Sequence, residues 1–128
     1  MTVKKLTIKQ IIKMQDSLIK NTGGLSGLKD MGLLESALAA PFASFGGVYF
    51  YPTIKEQAAR LAYGIANNHA FVDGNKRIGM LVLLIFLKEN GILLDCSNED
   101  LIKLGLSVAD GTYNVNNTLE FIIEHEIK

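Results

Sequence analysis

The stretch HAFVDGNKRIGMLVLLIFLKENG, residues 69 to 91, decides the fold. Its second half reads as a helix from about Asn75 to Asn90 whose middle is apolar on every side, and Gly91 supplies a C-terminal stop. A helix apolar all round must lie inside the protein, so this one is expected to be the buried central helix. Its first half sets a puzzle. Lys76 and Arg77 stand at the helix start, the end whose partial positive charge disfavours cations by a few tenths to about 1 kcal/mol each. Their side chains either bend away to solvent or acids, or face a bound anion that reverses the sign of the penalty.

Outward from this helix the chain reads as helices. Thr7 with Gln10 makes a capping box, and Ile8, Ile11, Ile12, Leu18 and Ile19 form an apolar stripe to about Lys20. The segment NTGGLSGLKD, residues 21 to 30, breaks the chain with three glycines. MGLLESALAA, residues 31 to 40, reads as a short helix stopped by Pro41. Thr53 with Glu56 makes another capping box at the start of a helix to about Asn68, whose alanines allow close packing. Ser97 with Asp100 makes a third capping box, starting a helix of about ten residues, and Asn116 to Ile127 reads as a last amphipathic helix. Between Phe42 and Pro52 the aromatics flank Gly46 and Gly47, which suits a small hairpin or loop leaning on the helices. That piece is either a packed loop that buries its aromatics or a flap that receives a partner. One all-α domain over residues 1–128, a helical bundle with one small flap, is the economical architecture.

Bulk composition narrows the function. Thirteen basic residues balance 13 acidic ones, which argues against broad electrostatic capture of nucleic acid or an anionic membrane. Cys96 is the one cysteine, so no internal disulfide forms, and it reads as a small, partly buried thiol. The longest apolar run, residues 80 to 87, is too short to span a membrane, and no signal-like segment opens the chain. A soluble cytoplasmic protein is expected.

The chemistry gathers in residues 69 to 77. Asp73 is expected at the N-cap, with Gly74 allowing the turn into the helix. The first backbone N–H groups of a helix lack internal partners, and with Lys76 and Arg77 they describe a phosphate site. His69, four residues before Asp73, is a side chain that can take a proton near neutral pH. Asp73 can cap the helix, orient a phosphate through Mg²⁺, or do both. Asn75 offers a neutral donor and acceptor at the same edge, and Phe71 reads as an apolar anchor for the loop. Transfer of a phosphorus-containing group to a hydroxyl is the chemistry this set points to. No Walker-type or kinase Gly-rich loop is present.

HAFVDGNKR resembles the HxFx[DE]GNxxR-like signature of the Fic/Doc proteins, and the lysine before the arginine resembles the death-on-curing branch. Residues 27 to 41, 51 to 69 and 84 to 92 extend the resemblance over most of the chain. It implies the Fic/Doc-type helical fold and a toxin of a toxin–antitoxin pair. His69 would be the general base. Asp73 would orient the step and hold Mg²⁺. Gly74, Asn75, Lys76 and Arg77 would line the anion pocket, and the flap at Tyr49, Phe50 and Tyr51 would hold the target. The death-on-curing branch implies transfer of the ATP γ-phosphate to a threonine of elongation factor Tu, with loss of translation. AMP-transferring members carry Gly at the position of Lys76 and a second arginine at the position of Met80. Both departures point away from AMP transfer, which stays open beside a catalytically silent binding domain. No Ser or Thr is followed at the fourth position by Glu, so the self-inhibiting [ST]xxxE[GN] helix of many Fic enzymes is absent. Restraint would come from an antitoxin that folds into a groove on the toxin.

Overall fold

A computed structural model describes residues 2–128. Six α-helices carry the described chain: α1 (Ile8–Thr22), α2 (Met31–Ala39), α3 (Ile54–Asn68), α4 (Asn75–Glu89), α5 (Asn98–Ala109) and α6 (Val115–His125). A 3₁₀ turn (Ala40–Phe42) leads from α2 into a hairpin of β1 (Ser44–Phe45) and β2 (Val48–Tyr49). The all-α expectation holds, with this hairpin as the one sheet among the described residues.

The local signals act much as read, with instructive differences. Thr7 and Gln10 form a reciprocal capping box at α1. The pairs at α3 and α5 are half boxes. Thr53 Oγ1 accepts from Glu56 N–H but donates its own proton to Glu56 Oε1 at 2.8 Å, so that carboxylate never reaches back to the backbone. Ser97 Oγ accepts from Asp100 N–H at 3.0 Å, with no return bond. A full box stands instead at α6, between Asn114 and Asn117.

Helix α4 is buried as expected along Ile78, Met80, Val82, Leu83, Phe86 and Leu87, but it shares the centre with α3. α3 packs on α2, α4, α5 and α6. Its buried alanines let α4 approach closely. A Cβ on Gly79 would stand 3.1 Å from the Ala62 carbonyl oxygen and 3.1 Å from Ala66 Cβ.

The hairpin departs most from expectation. Gly46 and Gly47 take φ of 59° and 79°, the left-handed pair that a two-residue turn matching strand twist requires. Its aromatics do not lean on the helices. Phe45 is 80% exposed and Tyr49 56% exposed, with Val48 and Phe50 also in solvent. Only the base is tied down. Pro41 is buried, Phe42 packs its ring 6.2 Å from that of Phe86, and Gln57 Nε2 donates to the Tyr51 carbonyl at 3.0 Å. The buried-loop reading is therefore wrong, because no helix lies under these four side chains.

No helix among the described residues is long and apolar enough to cross a membrane. Cys96 is half-buried, and burial, then Asp100 and Asp95, push its thiol pKa up.

Candidate active site at the start of helix α4

The loop between α3 and α4 is held by backbone pairing. Lys29 and Asp30 donate to the Ala70 carbonyl at 2.8 and 3.0 Å, and Val72 donates to the Gly27 carbonyl at 3.0 Å. Phe71, 1% exposed, is the apolar anchor expected of it. His69 caps the end of α3 in the left-handed conformation, φ 54° and ψ 43°. It is the one non-glycine residue with positive φ among the described residues. Such a conformation costs a side-chain-bearing residue on the order of 1 kcal/mol. The flanking Ala70 and Phe71 are buried and fix the chain beyond it, while the imidazole stands exposed.

Asp73 does not cap α4. The N-cap is Gly74, in the left-handed region at φ 75°, and no side chain bonds the first turn. The Asp73 carboxylate is used elsewhere. Its Oδ1 accepts Gly74 N–H at 2.8 Å and its Oδ2 accepts Leu25 N–H at 3.2 Å. Those N–H groups, Gly74 first, hold its pKa below the ordinary carboxylate range, with Arg77 adding to them. Gly24 makes room for this bond, since a Cβ there would fall 2.6 Å from Asp73 Oδ2.

Asn75 is not a free polar edge either. Its Oδ1 accepts Phe71 N–H and its Nδ2 donates to the Phe71 carbonyl, both at 3.0 Å. Arg77 is partly committed. Its Nη1 donates to Thr22 Oγ1 at 2.6 Å and to the Gly23 carbonyl at 3.2 Å, and its Nη2 lies 3.8 Å from Asp73 Oδ1. For Arg77 the pairing alternative is thus realised. Lys76 differs: it is exposed, and among the described residues no acid lies within ion-pair distance of its ammonium.

These parts meet in one cavity of about 390 Å³. Its walls include His69, Asp73, Gly74, Asn75, Lys76 and Arg77. The flap residues Tyr49, Phe50 and Tyr51 do not line it. A second, largely apolar groove of about 570 Å³ runs between α1, α4 and α5 and shares Lys76 and Arg77 with the first. Oriented N–H donors, an unpaired cation and a nearby imidazole can hold a phosphate and take a proton from a hydroxyl. Asp73 also fits a Mg²⁺ ion. Its carboxylate is 46% exposed, anionic at neutral pH, and each oxygen keeps a lone pair beyond its one backbone bond. No group of three or more His, Cys, Asp and Glu gathers among the described residues, so one carboxylate with phosphate oxygens and water would make up the shell.

The Fic/DOC family profile matches residues 5–87. The chain belongs to the Fic/DOC family. It is 44% identical over 72 residues to "Toxin Doc" of Mycolicibacterium smegmatis (strain ATCC 700084 / mc(2)155), a match covering 56% of this chain and 55% of that protein. The chain thus spans about half the length of that relative. It is 28% identical over 121 residues to "Protein kinase doc" of Escherichia phage P1, covering 92% of each.

One residue of this Fic/DOC site escaped the sequence reading. Gln15 of α1 is 1% exposed. Its Nε2 donates to the Asp73 carbonyl at 3.1 Å and the Leu25 carbonyl at 3.4 Å, and its Oε1 accepts Gly27 N–H at 3.4 Å. It ties α1, the glycine segment and the α3–α4 loop together. The signal was spacing: Gln15 lies four residues after Ile11 and four before Ile19, both buried.

Proposed function

We propose that this protein is the toxin of a toxin–antitoxin pair and transfers the γ-phosphate of ATP to a protein hydroxyl. The observation that carries the reading is the uncapped first turn of α4 beside an unpaired Lys76 and an exposed His69, all on one cavity. Placing a cation at that end is unfavourable without an anion and favourable with one. Similarity over 92% of the chain to a protein named as a kinase supports the same choice.

In this reading the His69 imidazole accepts the proton of the target hydroxyl. The freed oxygen forms a bond to the γ-phosphorus while the bond from that phosphorus to the β,γ-bridging oxygen breaks, and ADP leaves. Lys76 and the N–H groups of Asn75, Lys76 and Arg77 balance the charge on the phosphate oxygens. Arg77 and Asp73 fix the glycine segment against the pocket. Mg²⁺ held by Asp73 would supply charge neutralisation at the phosphates. Met80 stands where AMP-transferring members have a second arginine, and its burial leaves no cation there. The exposed flap presents Phe45, Tyr49 and Phe50 to a target, with elongation factor Tu the expected one.

The apolar groove between α1, α4 and α5 would receive an amphipathic helix of the antitoxin. Ile102 and Leu106, one turn apart on α5, are exposed along it. The test is the intact mass of elongation factor Tu after incubation with the protein and Mg-ATP. A gain of one phosphoryl group supports the reading. A gain of one adenylyl group replaces it with AMP transfer, and an unchanged mass removes this target.

A further inference from the structure

Gly105 lies in the middle of α5, buried and without a left-handed backbone. Glycine inside a helix is unfavourable relative to alanine, so its presence needs a reason of space. The reason lies on α4. A Cβ on Gly105 would stand 3.1 Å from Met80 Cγ and 3.4 Å from Lys76 Cγ. Both neighbours are side chains of the phosphate-pocket helix, one turn apart on one face. The Cβ-free backbone of α5 therefore runs beside the Lys76 stem, and among the described residues no acid pairs with the ammonium to hold it. Lys76 lines both the phosphate cavity and the apolar groove, so its direction decides which space the charge occupies.

We infer that Gly105 is a positioning residue: it lets α5 brace the Lys76 stem and so aims the ammonium at the phosphate cavity. This rests on the phosphate-site reading above. It assigns to α5, outside the sequence motif and beyond the residues that the family profile matches, a part in selecting the bound phosphate. A Cβ at position 105 would press on Met80 Cγ, which must give by a few tenths of an ångström, and would fill the space beside the Lys76 stem, turning the ammonium toward the groove.

The experiment is a double-mutant cycle of Gly105→Ala with Lys76→Ala, read as KM for ATP and kcat in phosphoryl transfer, and as thermal melting. Gly105→Ala is expected to raise KM for ATP about five- to tenfold, the scale of a misplaced single charge contact. Its melting temperature is expected to change little, because the helix propensity gained by alanine offsets the small shift asked of the flexible Met80 side chain. In the Lys76→Ala background the same change is expected to leave KM unaltered. An equal effect in both backgrounds, or none in either, overturns the role of Gly105. Should Lys76→Ala itself leave transfer and ATP affinity unchanged, the phosphate-site reading fails first and the inference falls with it. If Gly105→Ala does not fold, the unaltered chain decides by NMR. A cross-relaxation contact between the Gly105 α-protons and the Lys76 γ-methylene that persists on adding Mg-ATP supports the brace, and its loss overturns it.

Discussion

The side-chain amide of Asn75 grips the backbone of Phe71 at both polar atoms, accepting its N–H and donating to its carbonyl, each at 3.0 Å. Asn75 therefore sets the shape of the loop that presents His69 and leaves its own N–H free for an anion. Asn75→Ala is expected to cost about 1–2 kcal/mol of stability, the net of two hydrogen bonds, and to reduce kcat for transfer. Asn75→Asp keeps the accepting contact, loses the donating one and adds a negative charge at the phosphate edge. It should raise KM for ATP more than Asn75→Ala does. Chemical denaturation and steady-state kinetics on the pair check both statements.

Gln15 holds three backbone groups of two loops from inside the core. Gln15→Leu fills the space but leaves those groups unpaired. The expected loss is about 1–3 kcal/mol, with faster hydrogen exchange at Gly27. Exchange at α6 should be unchanged relative to global stability. A variant as stable as the parent would show that the three bonds contribute nothing net.

Asp73 makes a prediction in pH. Its pKa is depressed in the folded chain, first by Gly74 N–H and then by Leu25 N–H. A depressed carboxylate contributes stability that is fully present above its unfolded value, about 4, and lost as pH falls through the lower folded value. The melting temperature of the parent should exceed that of Asp73→Asn at pH 7. The gap should close as pH falls below about 4 and passes through the depressed folded value. A gap that widens on acidification would give the shift the opposite sign.

His69 carries strain together with its proposed chemistry. Glycine adopts its left-handed conformation freely, so His69→Gly is expected to stabilise the fold by about 0.5–1 kcal/mol while abolishing transfer. Urea unfolding and the transfer assay, run on the same preparation, read the two effects. Loss of stability together with loss of activity would mean that the ring is held by contacts rather than offered to a substrate.

Much of this was legible in the chain because the signals were local. The apolar run of α4, the Thr7–Gln10 box and the Gly46–Gly47 turn each depend on neighbours within a few residues. The misreadings are tertiary in origin. Asp73 followed by glycine reads as an N-cap, yet Leu25 N–H, 48 residues away in sequence, draws one of its oxygens off to another segment. For Arg77 the chain leaves two alternatives open, and only the fold decides between them, by bringing Thr22 of α1 to 2.6 Å. The exposure of Phe45 and Tyr49 depends on what packs beside the hairpin, which a run of aromatics does not encode. Gln15 is polar, so an apolar stripe does not pick it out, although its spacing from Ile11 and Ile19 places it inside.

The central claim is that Lys76 and the open end of α4 hold the phosphate that is transferred. ATP labelled at the γ position, or separately at the α position, incubated with the protein, Mg²⁺ and elongation factor Tu, tests it most directly. The account predicts label on elongation factor Tu from γ-labelled ATP alone, reduced at least tenfold by Lys76→Gly. Label arriving from the α position, or transfer indifferent to Lys76→Gly, would contradict it.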